Sequence, residues 1–292
     1  MLFCKSISVF KLTKSYLLKI CAPFQCYLRE KKNQTSHHTF PFKLERHFPF
    51  FIFDLNNQNL IMRGKLKGLF FLLRLHYLVP SKIFIFLGHL AQLSRFVHKH
   101  KHIEFTDYYS SKFVYQKREN LFRHVIEKEK LKDIDYLEFG VSTGHSFRWW
   151  SNEMKSEKAR FYGFDTFTGL PENWGPFKAG DMSNGNEPPK MNDERCQFYQ
   201  GLFQQTLLPF LVNHKFEQRK VIHMDADLYS ATLYVLTLMT PYLKAGDIIF
   251  FDEFNVPMHE YKAFTEWTNS FYIKYEVIGS VNNFYHTAVK IL

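Results

Sequence analysis

The chain has 292 residues, of which 46% are hydrophobic and 18% aromatic, so it has enough apolar side chains for a packed core and is not a disordered protein. Its formal net charge of +10 is unevenly divided, because residues 1–130 carry +15 and residues 131–292 carry −5. This asymmetry predicts a basic arm or a membrane-facing segment ahead of a mildly acidic globular domain.

Residues 1–61 show no sustained hydrophobic period, and lysines interrupt the apolar stretches at their start, unlike the continuous apolar segment of a secretory signal. We expect a poorly ordered basic extension there, with Met62 as an alternative natural start. The chain contains four cysteines: Cys4, Cys21, Cys26 and Cys196. Their spacing fits neither a disulfide framework nor a metal site, which predicts a reducing compartment and a cytoplasmic protein.

Residues 62–130 are predicted to form amphipathic helices with a break near Pro80. The apolar run 69–90 is interrupted by Arg74, Pro80 and Lys82, among others, so it does not resemble a membrane-spanning helix of about 20 apolar residues. Two interpretations remain, and the sequence favours a helical cap on the main domain over a helix that lies on a membrane surface. In the membrane interpretation, the basic N-terminal region would supply a peripheral contact with the inner membrane face.

Residues 131–292 are predicted to form an α/β domain with a mostly parallel, Rossmann-like sheet. Short apolar runs, typical of buried strands, alternate with helical segments: "IDYLEF" (134–139), "RFYGFD" (160–165), "CQFYQ" (196–200), "KVIHMD" (220–225) and "DIIFFD" (247–252). This alternation is the signature of a parallel sheet that is covered on both faces. The last residues predict two further strands joined by a turn at Asn282 and Asn283, which form an antiparallel end of the sheet.

Acidic side chains follow the carboxyl ends of four of these strands. They are Glu138, Asp165, Asp225 with Asp227, and Asp252 with Glu253. In open α/β sheets, ligands bind outside the carboxyl ends of the strands, at the point where the strand order reverses. The sequence therefore predicts a negatively charged ligand site along one edge of the sheet.

The stretch "LEFGVSTGHS" places Gly140 and Gly144 in a tight turn between the first strand and a helix, where a ligand can approach the backbone. The spacing fits neither the dinucleotide fingerprint nor a phosphate-binding P-loop, and Glu138 would repel a phosphate. Asp165 ends the next strand, where a carboxylate can accept both hydroxyls of a ribose. A ligand with a ribose, a positive charge and no phosphate fits S-adenosylmethionine.

Five ordered blocks resemble the macrocin O-methyltransferase family of class I S-adenosylmethionine-dependent methyltransferases: "LEFGVSTGHSFRWW", "FYGFDTFTGLPENW", "GLFQQTLLPFL", "HMDADLYSATLYVLTLMTPYL" and "GDIIFFDEF". The resemblance covers about residues 133–292. It implies a cofactor site with the ribose on Asp165 and the remaining contacts from Glu138, Gly140, Val141, Gly144 and Ser146. It also implies a divalent cation, usually magnesium, on Asp225, Asp252 and Glu253, although family members commonly carry Asp where this chain has Glu253.

Electrostatics supports a cation at this edge independently. Two carboxylates about 4 Å apart repel by about 4 kcal/mol at an effective dielectric constant of 20, so converging acids need either a proton or a counter-ion. Carboxylate oxygens favour magnesium over zinc, and no Cys/His set with zinc spacing competes. A cation would also lower the pKa of a bound hydroxyl, which methyl transfer to oxygen requires.

Four residues are candidates for the chemical step, namely Asp225, Asp227, His223 and His259. Strand alternation puts His223 on the same side as Asp225, although His223 could instead be a packed core residue. Asp227 could equally be the N-cap of the following helix. His259 lies in a loop or in a first helical turn.

The predicted function is a magnesium-assisted, S-adenosylmethionine-dependent O-methyltransferase that acts on a sugar or another small-molecule or glycan acceptor. The long loop 169–194 is predicted to form a lid, in which Trp174 and Phe177 either face the acceptor or anchor the loop. The alternatives are an NAD-dependent oxidoreductase and a non-enzymatic basic tether for membranes or nucleic acid. We expect no nucleic-acid partner for the enzyme and regard a homo-oligomer as open.

Overall fold

The computed structural model describes residues 57–292, and they divide into two compact units, residues 57–88 and residues 89–292. The predicted basic extension lies, except for its last residues, outside the described residues. The predicted domain bounds at residues 61 and 130 stay predictions. Within the described residues, no helix combines the length and the apolar character that crossing a membrane requires.

Within residues 57–292, three α-helices precede the sheet: α1 (Asn57–Leu72), α2 (Ser81–His100) and α3 (Lys117–Glu129). A short 3-10 helix, Leu75–Tyr77, lies between α1 and α2, just before Pro80. Proline cannot continue a helix because its ring clashes with the preceding turn. The predicted helical break near Pro80 is therefore present.

The remaining elements alternate in the predicted manner: β1 (Ile134–Phe139), α4 (His145–Glu153), β2 (Arg160–Asp165), β3 (Cys196–Gln200), α5 (Phe203–Asn213), β4 (Arg219–Met224), α6 (Tyr229–Met239), β5 (Ile248–Phe251), α7 (Glu260–Ser270), β6 (Tyr275–Val281) and β7 (His286–Ile291). A 3-10 helix, Thr240–Tyr242, extends α6. The first three strands have the predicted bounds, and β4 and β5 differ from the prediction by one residue at each end.

The seven strands form one sheet in the order β3-β2-β1-β4-β5-β7-β6. The five strands from β3 to β5 are parallel, and β7 is antiparallel to both of its neighbours. The strand order reverses between β1 and β4, so the crevice of the fold opens at their carboxyl ends. The predicted fold class, a mostly parallel Rossmann-like sheet with an antiparallel end, is confirmed.

Alternating side chains of the strands enter two separate apolar layers. On β1, Leu137 and Phe139 pack into one layer, whereas Ile134 and Tyr136 pack into the layer on the opposite face. Successive strand side chains point to opposite faces, and every residue of β1 is buried. A strand buried on both faces has no alternation of apolar and polar residues, which explains the continuous apolar runs of the sequence.

Helix α3 joins the second of these layers through Leu121, Phe122 and Val125. It packs closely on β6, since a Cβ atom on Gly279 would lie 2.6 Å from the Leu121 side chain. The close approach of helix and strand brings the residues at the start of α3 to the carboxyl ends of the strands.

Candidate active site

The predicted glycine turn lies against the end of β4. Gly140 has a φ of +97°, and a Cβ atom there would lie 1.7 Å from the backbone oxygen of Asp225. The Asp225 N–H donates to the Phe139 carbonyl (2.9 Å), so pairing between the two chain segments continues beyond the strands. Only glycine allows this approach, which sets Asp225 beside the turn.

Two neighbouring cavities open at this edge, with volumes of about 610 Å³ and 290 Å³. Both are lined by Tyr115, Ser142 and Asp225. The larger one has a volume typical of ligand pockets. The cavities lie where the strand order predicts a binding crevice.

The predicted cofactor residues divide between the two cavities. Gly140 and Asp165 line the larger cavity, and Glu138, Val141 and Ser146 line the smaller one. Gly144 lines neither cavity, because its α-carbon faces the Pro189 side chain, which a Cβ atom would approach to 2.8 Å. Close packing against Pro189 therefore explains why this position is occupied by glycine.

Asp165 organises the turn around it. Its two carboxylate oxygens accept hydrogen bonds from the backbone N–H groups of Ser142 and Phe167, each at 2.7 Å. A carboxylate offers about four acceptor positions, so both oxygens can still accept a hydroxyl from a ligand. The geometry thus fits a carboxylate that holds a ribose.

Glu138 belongs to a buried polar group beneath the smaller cavity. The Tyr136 hydroxyl donates to its Oε2 (2.5 Å), and His223 Nδ1 lies 3.8 Å from the same oxygen. On its other side, His223 Nε2 lies 3.6 Å from Asp252 Oδ1. Burial lowers the pKa of His223, but hydrogen bonds and charge from Asp252 and Glu138 outweigh it and raise this pKa to about 9.

His223 is therefore protonated at neutral pH and cannot accept a proton from a substrate. Its position agrees with the alternative of a packed core histidine, since only 1% of the residue is exposed.

Asp252 is surrounded by donors and is 1% exposed. The Tyr115 hydroxyl donates to Oδ2 (3.0 Å), Arg118 Nη1 donates to Oδ1 (3.2 Å), and His286 Nδ1 lies 3.1 Å from Oδ1. Although burial raises the pKa of Asp252, hydrogen bonds and charge from His223 and His286 hold it well below its usual range. Both of its oxygens thus have cationic or hydroxyl partners.

Three other carboxylates converge on the larger cavity. One oxygen from each of Asp225, Asp227 and Glu253 lies within 4.8 Å of the other two. Glu253 accepts a hydrogen bond from the Tyr285 hydroxyl (3.3 Å) on Oε1, whereas its buried Oε2 has no partner. A second group of potential ligands, His223 with Asp225 and Asp252, lies deeper.

The pKa values of these three carboxylates are raised. Burial raises the pKa of Asp225 and Glu253 well above their usual range, and repulsion by neighbouring carboxylates adds to it. Burial and the charges of Asp252 and Asp165 also raise the pKa of Asp227 to about 6. A hydrogen bond with Glu253 has the opposite, smaller effect on this pKa. The site is therefore short of positive charge.

The residues present fit a divalent cation. An unpartnered buried carboxylate oxygen beside two further acids is a costly arrangement without a counter-ion. Oxygen-only ligands suit magnesium, which leaves room for water and substrate oxygens. The predicted ligands Asp225 and Glu253 belong to this set together with Asp227, whereas the predicted ligand Asp252 belongs to the deeper group with His223 and Asp225.

Asp227 does not cap the following helix. The residue that precedes α6 is Leu228, and no side-chain hydrogen bond caps the helix. Asp227 instead has a left-handed φ of 56° and lines the larger cavity. The N-cap interpretation is wrong, and the position favours a role in the site.

His259 lies behind the cavity wall. Its ring is perpendicular to that of Trp174 at a centroid distance of 6.4 Å, and its buried Nδ1 has no side-chain or backbone partner. Burial lowers its pKa, against a hydrogen bond with the Asp227 backbone that raises it. His259 is thus neutral at pH 7 and able to accept a proton, but it does not line the cavity directly.

Two aromatic rings of the loop face the larger cavity. Trp174 and Phe177 are stacked, with centroids 5.4 Å apart and an interplanar angle of 12°, and both line the cavity. Trp174 also packs against the apolar layer that contains Phe139. Trp174 therefore anchors the loop, and its contact with an acceptor stays a prediction that its place on the cavity wall allows.

Sequence reasoning missed three partners of Asp252, namely Tyr115, Arg118 and His286. Arg118 and Asp252 are separated by 134 residues along the chain. Nothing in the local pattern "VYQKREN" marks Arg118 as buried, although 3% exposure is unusual for an arginine.

The fold and the site together define a Rossmann-like domain with a ligand crevice at the switch point of its sheet. Residues 137–254 of this chain match a family described as a methyltransferase domain. The predicted enzyme class, a methyltransferase, is confirmed by this match. The finer resemblance to the macrocin O-methyltransferase family stays a prediction, and no curated protein matches the chain significantly.

Several solved structures are similar to this chain. CalS11, described as a calicheamicin methyltransferase, has 17% identity and a TM-score of 0.47, over 73% of this chain and 93% of that chain. The O-methyltransferase NovP has 20% identity and a TM-score of 0.47, over 60% and 79% of the two chains. An O-methyltransferase from Bacillus cereus in complex with SAH has 14% identity and a TM-score of 0.41, over 70% and 90%. The functional proposal depends instead on the family match and on the side chains of the site.

Proposed function

We propose that this protein is an O-methyltransferase that uses S-adenosylmethionine and a divalent cation to methylate a hydroxyl of a sugar or another small-molecule or glycan acceptor. The observation that carries the proposal is the convergence of Asp225, Asp227 and Glu253 beside the glycine turn, on the wall of a cavity that Asp165 also lines. The family match supports the methyl-transfer class.

The cofactor would occupy the crevice between the two cavities. Asp165 would accept the ribose hydroxyls with the acceptor positions that its backbone contacts leave open. Glu138, which lines the smaller cavity, suits the positive end of the methionine portion. This assignment keeps a phosphate out of the site and favours a sulfonium cofactor over a dinucleotide.

The cation would be held by Asp225, Asp227 and Glu253, with magnesium as the ion that best suits these ligands. A bound cation would lower the pKa of an acceptor hydroxyl and fix its orientation. We assign Asp252 a supporting role instead, because Arg118 and the other donors already neutralise it.

S-adenosylmethionine would supply a methyl group on a sulfonium, and its transfer to the acceptor oxygen would leave a neutral thioether. Asp165 and Glu138 would hold the cofactor, and the carboxylates at the larger cavity would position the acceptor hydroxyl. The acceptor's proton would pass to Asp227, since His223 is already protonated and His259 does not line the cavity. Most of the rate gain would come from positioning and charge stabilisation.

The acceptor would lie between the carboxylates and the stacked rings of Trp174 and Phe177. Flat aromatic faces suit the apolar faces of a sugar ring or an aromatic ring. Tyr285, which also lines the larger cavity, donates to Glu253 and would help to align this carboxylate.

The test is transfer of a labelled methyl group from S-adenosylmethionine to fractions of hydroxylated acceptors, with magnesium or with EDTA. We expect transfer that requires the cation, and we expect Asp225→Asn to remove most of it while cofactor affinity stays nearly unchanged. The matched control is Glu153→Gln, which removes an acid from the exposed end of α4.

Two outcomes would contradict the proposal. Full transfer in EDTA would exclude the cation from the reaction. Thermal stabilisation by NAD and not by S-adenosylmethionine would replace methyl transfer with the oxidoreductase alternative.

A further inference from the structure

The segment of residues 62–88 exposes an unusual amount of apolar surface. Fourteen of its 27 residues are large hydrophobic side chains that are exposed, compared with eleven of the 204 residues in 89–292. So many exposed apolar side chains in one short segment, unlike single ones scattered over a surface, indicate an interaction site.

These side chains do not pack into a core of their own. Among residues 62–88 no side chain is buried, and Phe71 is exposed by 71%, Leu72 by 78% and Leu78 by 79%. Residues 83–87, "IFIFL", lie on consecutive positions of α2 and are all exposed. An apolar surface of this extent favours an environment other than water.

The charges of the same segment have one sign. Residues 62–88 contain Arg63, Lys65, Lys67, Arg74 and Lys82, and there is no acidic residue between Asp54 and Glu104. Basic residues interleaved with apolar ones are typical of helices that lie in the interface of an anionic membrane.

We propose that residues 62–88 bind the surface of a membrane that contains anionic lipids. The apolar side chains of α1 and of the start of α2 enter the boundary between headgroups and acyl chains, and the lysines and arginines contact lipid phosphates. Because no described helix can cross a membrane, this is attachment to one leaflet.

The pattern fits lipid better than other partners. A nucleic acid would use the positive charge but would leave Phe71, Leu72 and the 83–87 run in water. A second copy of the segment would bury the apolar side chains but would bring like charges together, which repel. An anionic membrane matches both features at once.

The experiment uses the full chain and vesicles, with binding measured by co-sedimentation. One set of vesicles is pure phosphatidylcholine, and the other contains about one third phosphatidylglycerol, a charge density at which basic segments gain affinity. We expect at least tenfold tighter binding to the anionic vesicles, and a loss of that advantage at high salt, because salt screens the charges.

Two double variants test the two features: the first changes both apolar contact and charge, and the second changes charge alone. Phe71→Glu with Phe84→Glu removes apolar contacts, and Lys65→Glu with Lys67→Glu reverses charge; each pair is expected to weaken binding at least tenfold. Glutamate is a good helix former, so these changes preserve α1 and α2. Phe71→Leu with Phe84→Leu should retain binding.

Matched controls lie on the other unit. Tyr272→Glu changes a side chain that is 83% exposed, and Lys132→Glu reverses an exposed charge beyond α3. Both should bind vesicles like the wild-type protein. Binding of S-adenosylmethionine should be the same in all variants, which separates this proposal from the proposed function.

Three results would overturn the proposal. The first is equal binding of the wild-type protein to neutral and anionic vesicles. The second is vesicle binding that both double glutamate variants retain. The third is a protein that does not bind vesicles but forms a stable dimer in solution, which the Phe71→Glu and Phe84→Glu pair dissociates. The last result would identify a second copy as the occupant of the surface.

Discussion

The crowded carboxylates make a testable claim about stability, for which Asp227→Asn is the sharpest perturbation. Asp227 adopts a left-handed φ of 56°, a conformation that asparagine tolerates well. The substitution therefore keeps the size and the backbone and removes only the charge. Without a cation, removal of that charge should stabilise the protein.

Two routes give the magnitude of the effect. One oxygen of each carboxylate lies within 4.8 Å of the others, and at an effective dielectric constant of about 20 two ionised carboxylates at that separation would repel by about 3 kcal/mol. Burial, with charge from Asp252 and Asp165, raises the pKa of Asp227 from 3.8 to about 6, which also corresponds to about 3 kcal/mol.

The sign of the pH dependence follows from the direction of that change. A carboxyl group with a raised folded-state pKa binds its proton more tightly in the folded protein, so its contribution to stability is complete below about pH 4 and is lost as the pH rises through about 6. The penalty carried by the wild-type protein should then be largest at neutral pH.

The assay is thermal and urea unfolding of both proteins in EDTA and in magnesium, from pH 4.5 to 7.5. In EDTA at pH 7, we expect Asp227→Asn to be more stable by about 1–3 kcal/mol, or several degrees in melting temperature. The advantage should shrink toward pH 4.5. Magnesium should stabilise the wild-type protein and have little effect on the variant.

Glu153→Gln is the control for loss of an acidic charge, and its stability should depend neither on magnesium nor on this pH range. The reasoning would be refuted if Asp227→Asn were less stable than the wild-type protein in EDTA at pH 7. It would also be refuted if magnesium stabilised both proteins equally.

Three further predictions concern the turn and the core. Asp165→Ala should weaken binding of S-adenosylmethionine at least tenfold in equilibrium dialysis, since the carboxylate both holds the turn and faces the cavity. In Gly140→Ala the added Cβ atom would overlap the Asp225 backbone oxygen, so the variant should either fail to fold or lose cofactor binding. Circular dichroism measures the folding of the variant, and dialysis measures its cofactor binding. Lys220→Met should cost about 3–5 kcal/mol in urea unfolding, because it leaves Asp247, 2.9 Å from Lys220 Nζ, as a buried charge without its cation. A loss below 1 kcal/mol would show that the backbone N–H groups around Asp247 suffice.

The fold was predictable because its signals are local. The apolar runs such as "IDYLEF" alternate with helical segments, and they became strands with nearly the predicted bounds. The strand-end positions of Asp165 and Asp225 follow from that pattern, since parallel strands share one carboxyl edge. The close approach of Gly140 to that edge agrees with the need for a residue without a side chain.

The separate roles of the acids were not predictable in the same way. Asp252 and Glu253 are neighbours in the sequence, yet the former is neutralised by Arg118 and His286 whereas the latter keeps an unpartnered oxygen at the cavity. The difference arises because the two residues lie in the bend that follows β5, where their side chains meet different neighbours. The identity of their neighbours depends on helix α3 and strand β7, which lie far away along the chain.

The sequence by itself thus determined the sheet, its order of elements and the edge at which the acids accumulate, because hydrophobic periodicity and strand-end positions are short-range properties. The tertiary structure decided which carboxylates are paired and which remain open to a cation. Charge pairing acts over a few ångströms in space, and residues such as Arg118 and Asp252 reach that distance only when the chain has packed.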